Sequence, residues 1–206
     1  MTGFVVIDTE GSGLFRYRDA DGKPVPADHP DQPRLAELAM LFLDDDLGPQ
    51  EEHHFYVRPD GWEMTEEATA VNGLRTEFLM EYGVPVADVL VAYAAAIQSG
   101  RVVIAFNAQH DLKQMRAELR RADMDDMFLI TKNICAMRGC QPLEIKKANG
   151  KKGWPKLSDA CVHFGIAQPD EHNAMDDARA AAEVARHLMR LELLPEPAIH
   201  LAKGRD

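Results

Sequence analysis

The hydrophobic pattern begins with a short apolar segment that predicts a buried strand. Residues 4–7 are continuously apolar and mostly β-branched or aromatic, which favours a strand covered on both faces. Asp8 and Glu10 follow at once, and Gly11 to Gly13 indicate a flexible turn. Because side chains alternate along a strand, the two carboxylates are expected to point to the same side. They would repel each other there, so we expect a divalent cation between them.

Further along the chain, apolar and polar positions predict a mixed α/β domain. Residues 34–43 and 50–57 indicate two more strands, which form an antiparallel meander with the first strand in the simplest arrangement. Residues 15–33 indicate a surface loop with a small hairpin at Asp21-Gly22. The remaining pattern predicts helices over residues 65–72, 86–98, 111–122, 156–164 and 176–194, and strands over residues 101–106 and 127–131.

The size and composition of the chain are typical of one soluble domain. Its 206 residues can bury a sizeable core, and we expect one domain over residues 1–195 with a short tail over residues 196–206. No apolar run has the length of a membrane span, and the first strand starts too early to leave room for a signal peptide. Cys135, Cys140 and Cys161 are odd in number and lack zinc-site spacing. The expected location is therefore the reducing cytoplasm.

The distribution of charge carries more information than the net charge of -11. Nucleic-acid-binding domains are usually basic, so the total has the wrong sign for such a domain. Residues 132–156 nevertheless carry seven basic side chains and one acidic side chain. This basic run is a candidate track for phosphates. The alternative is a solvated face, which is the interpretation that we favour for the acidic residues 44–67.

Two later places in the sequence carry acids beside a predicted core element. Asp111 follows the strand over residues 101–106, and Asp177 lies at the start of the last helix, five residues after His172. An acid in the first turn of a helix commonly stabilises the helix dipole, and a histidine before a helix is commonly a capping or surface residue. Each position alone therefore favours a capping role, which is the interpretation that we keep for Asp176.

Taken together, the three acidic motifs resemble the DEDDh family of 3′–5′ exonucleases. The order is Asp-x-Glu after the first strand, Asn-x-x-x-Asp after a later strand and His-x-Ala-x-x-Asp at the last helix. The family includes bacterial proofreading exonuclease subunits and ribonuclease T, within the ribonuclease H-like superfamily. The resemblance covers residues 4–190, with lesser matches at residues 34–39, 71–74 and 156–160.

The resemblance implies a fold, a metal site and a reaction. The fold is ribonuclease H-like, an α/β architecture with a five-stranded mixed sheet flanked by helices on both faces. Asp8, Glu10, Asp111 and Asp177 match the four metal-binding acids, and His172 matches the general base. Two divalent ions, Mg²⁺ with Mn²⁺ as a substitute, would clamp the attacking and leaving oxygens of a phosphodiester. The expected activity is removal of nucleoside monophosphates from 3′ ends of DNA or RNA.

The resemblance also implies how the 3′-terminal nucleotide is held. Gly11 and Gly13 would let the backbone approach this nucleotide, and Leu14 would wedge against its base. The expected substrate-binding residues are Thr9, Gly11, Gly13, Leu14, Asn107 and Lys156.

Four aromatic residues are candidates for base stacking, which tolerates any sequence. They are Phe15, Phe55, Tyr56 and Trp62. Core packing is the alternative for each of them, and we favour it for Phe55. The chain departs from the family pattern at His110, where Phe is common, and in a longer spacer over residues 14–34; both departures could alter substrate fit.

Two other functions are weaker interpretations of the same residues. A non-catalytic nucleic-acid-binding module that kept the exonuclease fold would be expected to have lost an acid, and none of the four is lost. A hydrolase of sugar or nucleotide phosphates would leave the wedge and the lysines without a role. The expected partner is a nucleic-acid 3′ end, single-stranded in preference. DNA and RNA both stay open, as do a monomer, a homodimer and association with a replication or repair partner.

Overall fold

The centre of the domain is a five-stranded sheet with the strand order β3-β2-β1-β4-β5. The computed structural model describes residues 3–147, 150, 153–167 and 172–199. The strands are β1 Phe4–Gly11, β2 Leu35–Leu43, β3 Pro49–Tyr56, β4 Val102–Ala105 and β5 Asn133–Cys135. The first three form the predicted antiparallel meander, β4 is parallel to β1, and β5 is parallel to β4. The predicted five-stranded mixed sheet is confirmed.

Helices cover both faces of this sheet. In the described part of the chain they are α1 Glu66–Asn72, α2 Thr76–Tyr82, α3 Val86–Gln98, α4 Ala108–Arg121, α5 Ala136–Gly139, α6 Leu157–Phe164 and α7 Ala174–Arg190. One apolar cluster joins the sheet to α6 and α7, and a second cluster joins the opposite face to α3 and α4. None of the described helices is long and apolar enough to cross a membrane.

The alternation of side chains along β1 decides which cluster each residue joins. Phe4 and Val6 pack into the cluster with α7, whereas Val5 and Ile7 pack into the cluster with α3 and α4. The same period carries residues 8 and 10 toward the α7 face and residue 9 toward the α4 face. The end of β1 therefore presents polar side chains to both layers of helices.

Most predicted elements are confirmed, and their ends follow local capping chemistry. The side chain of Thr65 accepts a hydrogen bond from the Ala68 N–H at the start of α1, and Gly73 ends that helix with a φ of 72°. The last helix begins two residues earlier than predicted, because Asn173 is its N-cap and accepts from the Asp176 N–H. The short helices α2 and α5 were not predicted.

The predicted strand over residues 127–131 is wrong. The carboxylates of Asp125 and Asp126 accept hydrogen bonds from the N–H groups of Met127 and Phe128, which folds this segment into turns. The strand lies slightly later, as β5. Its first residue, Asn133, exchanges two backbone hydrogen bonds with Ala198, so this part of the predicted tail lies along the sheet edge.

Candidate active site

Asp8 and Glu10 lie at the carboxyl end of the central strand β1. In the antiparallel ladder Asp8 is opposite Ala39 and Glu10 is opposite Glu37. The ladder shifts register between Glu10 and Gly11, and Gly11 still pairs with Leu35 as the last residue of β1. The acids are thus held on a core strand, and the loop begins after Gly11.

Asp111 reaches the same place from α4. It lies in the first turn of that helix, whose N-cap is Asn107, and it is only 4% exposed. Its Oδ1 accepts hydrogen bonds from the Thr9 N–H at 3.0 Å and from Thr9 Oγ1 at 2.9 Å. Two donors from the residue between Asp8 and Glu10 therefore fix the third acid beside the first two. Asp111 is tied to β1, whereas the first-turn alternative assigned it only a helix-capping role.

Asp177 and His172 approach from the opposite face through α7. Asp177 is 8% exposed, and its Oδ2 accepts from the His172 backbone N–H at 3.2 Å. His172 is exposed and has a left-handed φ of 65°. One ligand atom each from Glu10, His172 and Asp177 lie within 4.8 Å of one another. After burial, the charges of Asp111, Asp177 and Glu10 each raise the pKa of Asp8, so the four acids and His172, which the sequence predicted from three separate motifs, lie close together.

The electrostatics of this cluster favour a bound cation. Burial, followed by the charges of Asp111, Asp177, Glu10 and Glu37, holds the pKa of Asp8 well above its usual range. Burial is also the largest cause that raises the pKa of Glu10 from 4.5 to about 8, and it raises the pKa of Asp111. Within the described residues, no Lys or Arg forms an ion pair with these three acids. Carboxylate oxygens are hard ligands suited to Mg²⁺ or Mn²⁺, so the donor set fits the divalent ions that the sequence predicts.

The predicted substrate-binding residues differ in exposure and in their contacts. Leu14 is 88% exposed beyond the end of β1, as a wedge against a base would need to be. A Cβ at Gly11 would lie 3.3 Å from the Gly13 carbonyl oxygen, so the turn is tight as well as flexible. Asn107 is exposed, and Lys156 is exposed at the N-cap of α6. The side chain of Thr9 is buried and orients Asp111, which leaves its backbone for any contact with substrate.

The stacking candidates divide into packed and half-exposed residues. Phe15 is buried, and Phe55 packs against the cluster on the α3 and α4 face, as we favoured for Phe55. Tyr56 and Trp62 are half-buried. The basic run over residues 132–156 falls partly outside the described residues, and its described Lys146 is exposed.

Two residues that contact or adjoin the acids are not among the predicted site residues, although the resemblance already matches Glu37 to the usual Glu of the family's second strand. The Asn72 side-chain amide donates to Glu10 Oε2 and to the Gly11 carbonyl oxygen, both at 3.3 Å. Glu37 is 1% exposed and lies opposite Glu10. Both occur in matched segments of the sequence, but only the fold shows that these segments meet.

Comparison with protein families identifies one match over most of the chain. Residues 5–185 match the family model of the RNase T type that is described as "Exonuclease". A comparison with curated protein sequences finds no significant match.

Several solved structures share the fold. E. coli exonuclease I in complex with a dA16 oligonucleotide has a TM-score of 0.76 and 18% identity, over 94% of this chain and 42% of that chain. A further exonuclease I structure, whose description concerns processivity, has a TM-score of 0.75 and 19% identity, over 93% of this chain and 41% of that chain. This chain thus spans about two fifths of the length of those proteins.

A third structure matches over almost its whole length. A 3′-exonuclease that recognises the histone mRNA stem-loop has a TM-score of 0.70 and 12% identity, over 97% of this chain and 91% of that chain. At these identities the structural matches establish the fold.

Proposed function

The chain belongs to the exonuclease family of the RNase T type, and from that premise we propose that it is a metal-dependent 3′–5′ exonuclease. The observation that carries the proposal is the convergence of Asp8, Glu10, Asp111 and Asp177 at the end of one core strand. The proposed cofactors are two divalent ions, Mg²⁺ or Mn²⁺, held by these four acids. When bound, such ions supply Lewis-acid activation of water and stabilise charge on the phosphate and leaving oxygens.

His172 is the proposed general base. Its ring nitrogen lies within 4.8 Å of carboxylate oxygens of Glu10 and Asp177, at the open side of the cluster, where it can take a proton from an attacking water. Its backbone N–H holds Asp177 in place at the same time. A base must be unprotonated to accept a proton, so the rate of the chemical step should fall at acidic pH. A rate that stays flat from pH 5 to 8, with chemistry limiting, would contradict this role.

The proposed substrate is the 3′ end of a nucleic acid, single-stranded in preference. Gly11, Gly13 and Leu14 would hold the terminal nucleotide, and Asn107 and Lys156 would contact the strand through exposed polar groups. Support comes from two similar folds, one described in complex with a dA16 oligonucleotide and one that recognises an RNA stem-loop. Matched DNA and RNA oligonucleotides, single- and double-stranded, would identify the preferred sugar and strand state.

The central test is release of mononucleotides from a 3′-labelled oligonucleotide. The purified chain should release them with Mg²⁺ or Mn²⁺ and not with EDTA. Asp177→Asn should abolish release, because it removes a buried metal ligand. Asp176→Asn is the matched control: Asp176 is the neighbouring acid on α7, it pairs with Arg179, and its loss should leave the rate nearly unchanged. Wild-type activity in Asp177→Asn would overturn the assignment.

A further inference from the structure

A fifth carboxylate, which is fully buried, lies directly beside the four proposed metal ligands. Glu37 of β2 is 1% exposed and is the cross-strand partner of Glu10. Side chains opposite each other on one face of an antiparallel pair have Cβ atoms roughly 4.5–5.5 Å apart. The negative charge of Glu37 is one of the causes, after burial, that raise the pKa values of Asp8 and Glu10. Glu37 is therefore electrostatically coupled to both acids of β1.

One histidine of the next strand holds Glu37. His54 Nε2 lies 2.5 Å from Glu37 Oε1, and the His54 ring packs on Tyr56 with centroids 4.7 Å apart. In the β2–β3 ladder Glu37 is opposite Tyr56, and His54 is opposite Ala39. Glu10, Glu37 and Tyr56 thus form a row across three strands, with His54 on the same face.

The burial of Glu37 beside other acids lowers the stability of the unliganded fold. Burial of a charge near like charges destabilises the fold, and one imidazole hydrogen bond offsets this cost only in part. An apolar residue at position 37 would remove the cost. The arrangement makes sense if a cation binds on the other side of Asp8 and Glu10, because a carboxylate behind the ligands then increases the attraction for that cation.

We propose that Glu37 is a positioning residue of the metal site, which strengthens cation binding by Asp8 and Glu10, and that His54 holds Glu37 in place. The proposal rests on the proposed function, since it assumes that the four acids bind divalent ions. It adds to the site a carboxylate that does not need to touch the metal. Partners behind the ligands commonly change metal affinity about 10- to 100-fold when they are removed.

The test is calorimetric titration of Mn²⁺ into the full chain, which needs no activity. Glu37→Gln preserves the shape of the side chain and its capacity to bond with His54 but removes the charge. We expect its Mn²⁺ dissociation constant to rise about tenfold. His54→Phe preserves the ring that packs on Tyr56 and removes the Nε2 donor, so it should weaken Mn²⁺ binding at least threefold. His54→Gln retains a donor and should restore most of the affinity.

The neighbouring pair on the other face of β3 provides a matched control. His53 Nε2 lies 2.7 Å from Glu51 Oε1, and both side chains are more exposed than Glu37. Glu51→Gln and His53→Phe should leave Mn²⁺ affinity unchanged, because this pair points away from the acids.

The double variant decides whether His54 acts through Glu37. His54→Phe should have no further effect in the Glu37→Gln background. Equal effects of His54→Phe in both backgrounds would overturn the role of His54. Unchanged affinity in Glu37→Gln, with wild-type protein binding Mn²⁺ normally, would overturn the proposal while leaving the proposed function intact. Failure of the wild-type chain to bind Mn²⁺ would instead overturn the proposed function.

Discussion

Helix α4 carries two buried carboxylates, Asp111 and Glu118, whose surroundings differ. Glu118 is bonded by Arg34 through Nε at 2.9 Å and Nη2 at 3.0 Å, by Arg121 Nη1 at 2.7 Å and by the Leu35 N–H at 3.1 Å. Its charge is therefore fully paired within the chain. Arg121 also donates to carbonyl groups of residues 27, 29, 32 and 33. It therefore holds the end of the loop over residues 15–33 against α4.

Asp111 accepts hydrogen bonds from the neutral N–H and hydroxyl of Thr9, and burial raises its pKa against the smaller, lowering effect of the charge of the adjacent His110. No arginine is bonded to Asp111 within the described residues, so the two acids of this helix can be compared directly. Glu118, whose contacts stabilise the fold, is paired with two arginines. Where the chain leaves the carboxylates without arginines, the counter-charge is expected from a bound cation. The proposed metal site would thus lower the stability of the unliganded protein while favouring a bound cation.

The largest expected effect is that of Asp8→Asn, which should separate activity from stability. Loss of a metal ligand removes several kcal/mol of transition-state stabilisation, so activity should fall roughly a thousandfold or more. The same change removes a carboxyl group whose ionisation is opposed by burial and by the neighbouring acids, so the melting temperature in EDTA should rise. Nuclease assays and thermal unfolding on one preparation measure both effects. A lower melting temperature in EDTA would contradict the comparison.

Glu118→Gln should lower the stability of the fold and leave metal binding unchanged. It leaves two arginines without their carboxylate, and we expect the free energy of unfolding to fall by about 3 kcal/mol. Urea unfolding in EDTA measures this loss. Mn²⁺ affinity, measured at a temperature where the variant is folded, should equal that of the wild type. A large change in Mn²⁺ affinity would show that the two regions are not independent.

The pH dependence of stability should differ with and without metal. Glu10 has a pKa of about 8 in the folded chain against its ordinary 4.5, so the folded state retains a proton that the unfolded chain loses. In EDTA the free energy of unfolding should therefore decrease as pH rises from about 4.5 to about 8, and Asp8 acts in the same direction. Mg²⁺ replaces the proton, so the difference in melting temperature between Mg²⁺ and EDTA should grow over this range.

The control for this pH effect is Glu10→Gln. This variant has no carboxyl group to titrate at position 10, so the difference between Mg²⁺ and EDTA should depend less on pH. An equally steep dependence in the variant would show that other groups cause it.

The smallest expected effect is that of Asn72→Ala. Asn72 donates one hydrogen bond to Glu10 and one to the Gly11 carbonyl oxygen. A hydrogen bond of this kind contributes about 0.5–1.5 kcal/mol, so kcat/KM at saturating Mg²⁺ should fall roughly three- to tenfold. Unchanged kinetics would show that Glu10 does not need this donor.

The residues of the candidate site could be proposed from the sequence because they occur in local motifs. Asp8 and Glu10 follow an unmistakable buried strand, and the spacing of Asp111, His172 and Asp177 depends on helix starts that carry polar capping residues. The sheet was predictable for the same reason, since β4 is continuously apolar, β1 begins with four apolar residues and β2 is interrupted only by Glu37. The misplaced strand over residues 127–131 shows the limit, because aspartate turns there compete with an apolar pattern.

The tertiary structure alone decided which charges are compensated. Asp111 and Glu118 are both acids on the buried side of one amphipathic helix, and nothing in the spacing of α4 distinguishes them. Arg34 lies 84 residues from Glu118, and Glu37 comes opposite Glu10 only through the register of β1 and β2. Side-chain period and capping act within a few residues, whereas the pairing of a buried charge depends on which distant segments the fold brings together. The sequence therefore determined the acids, and the fold determined which of them are paired with arginines and which are available to the proposed metal ions.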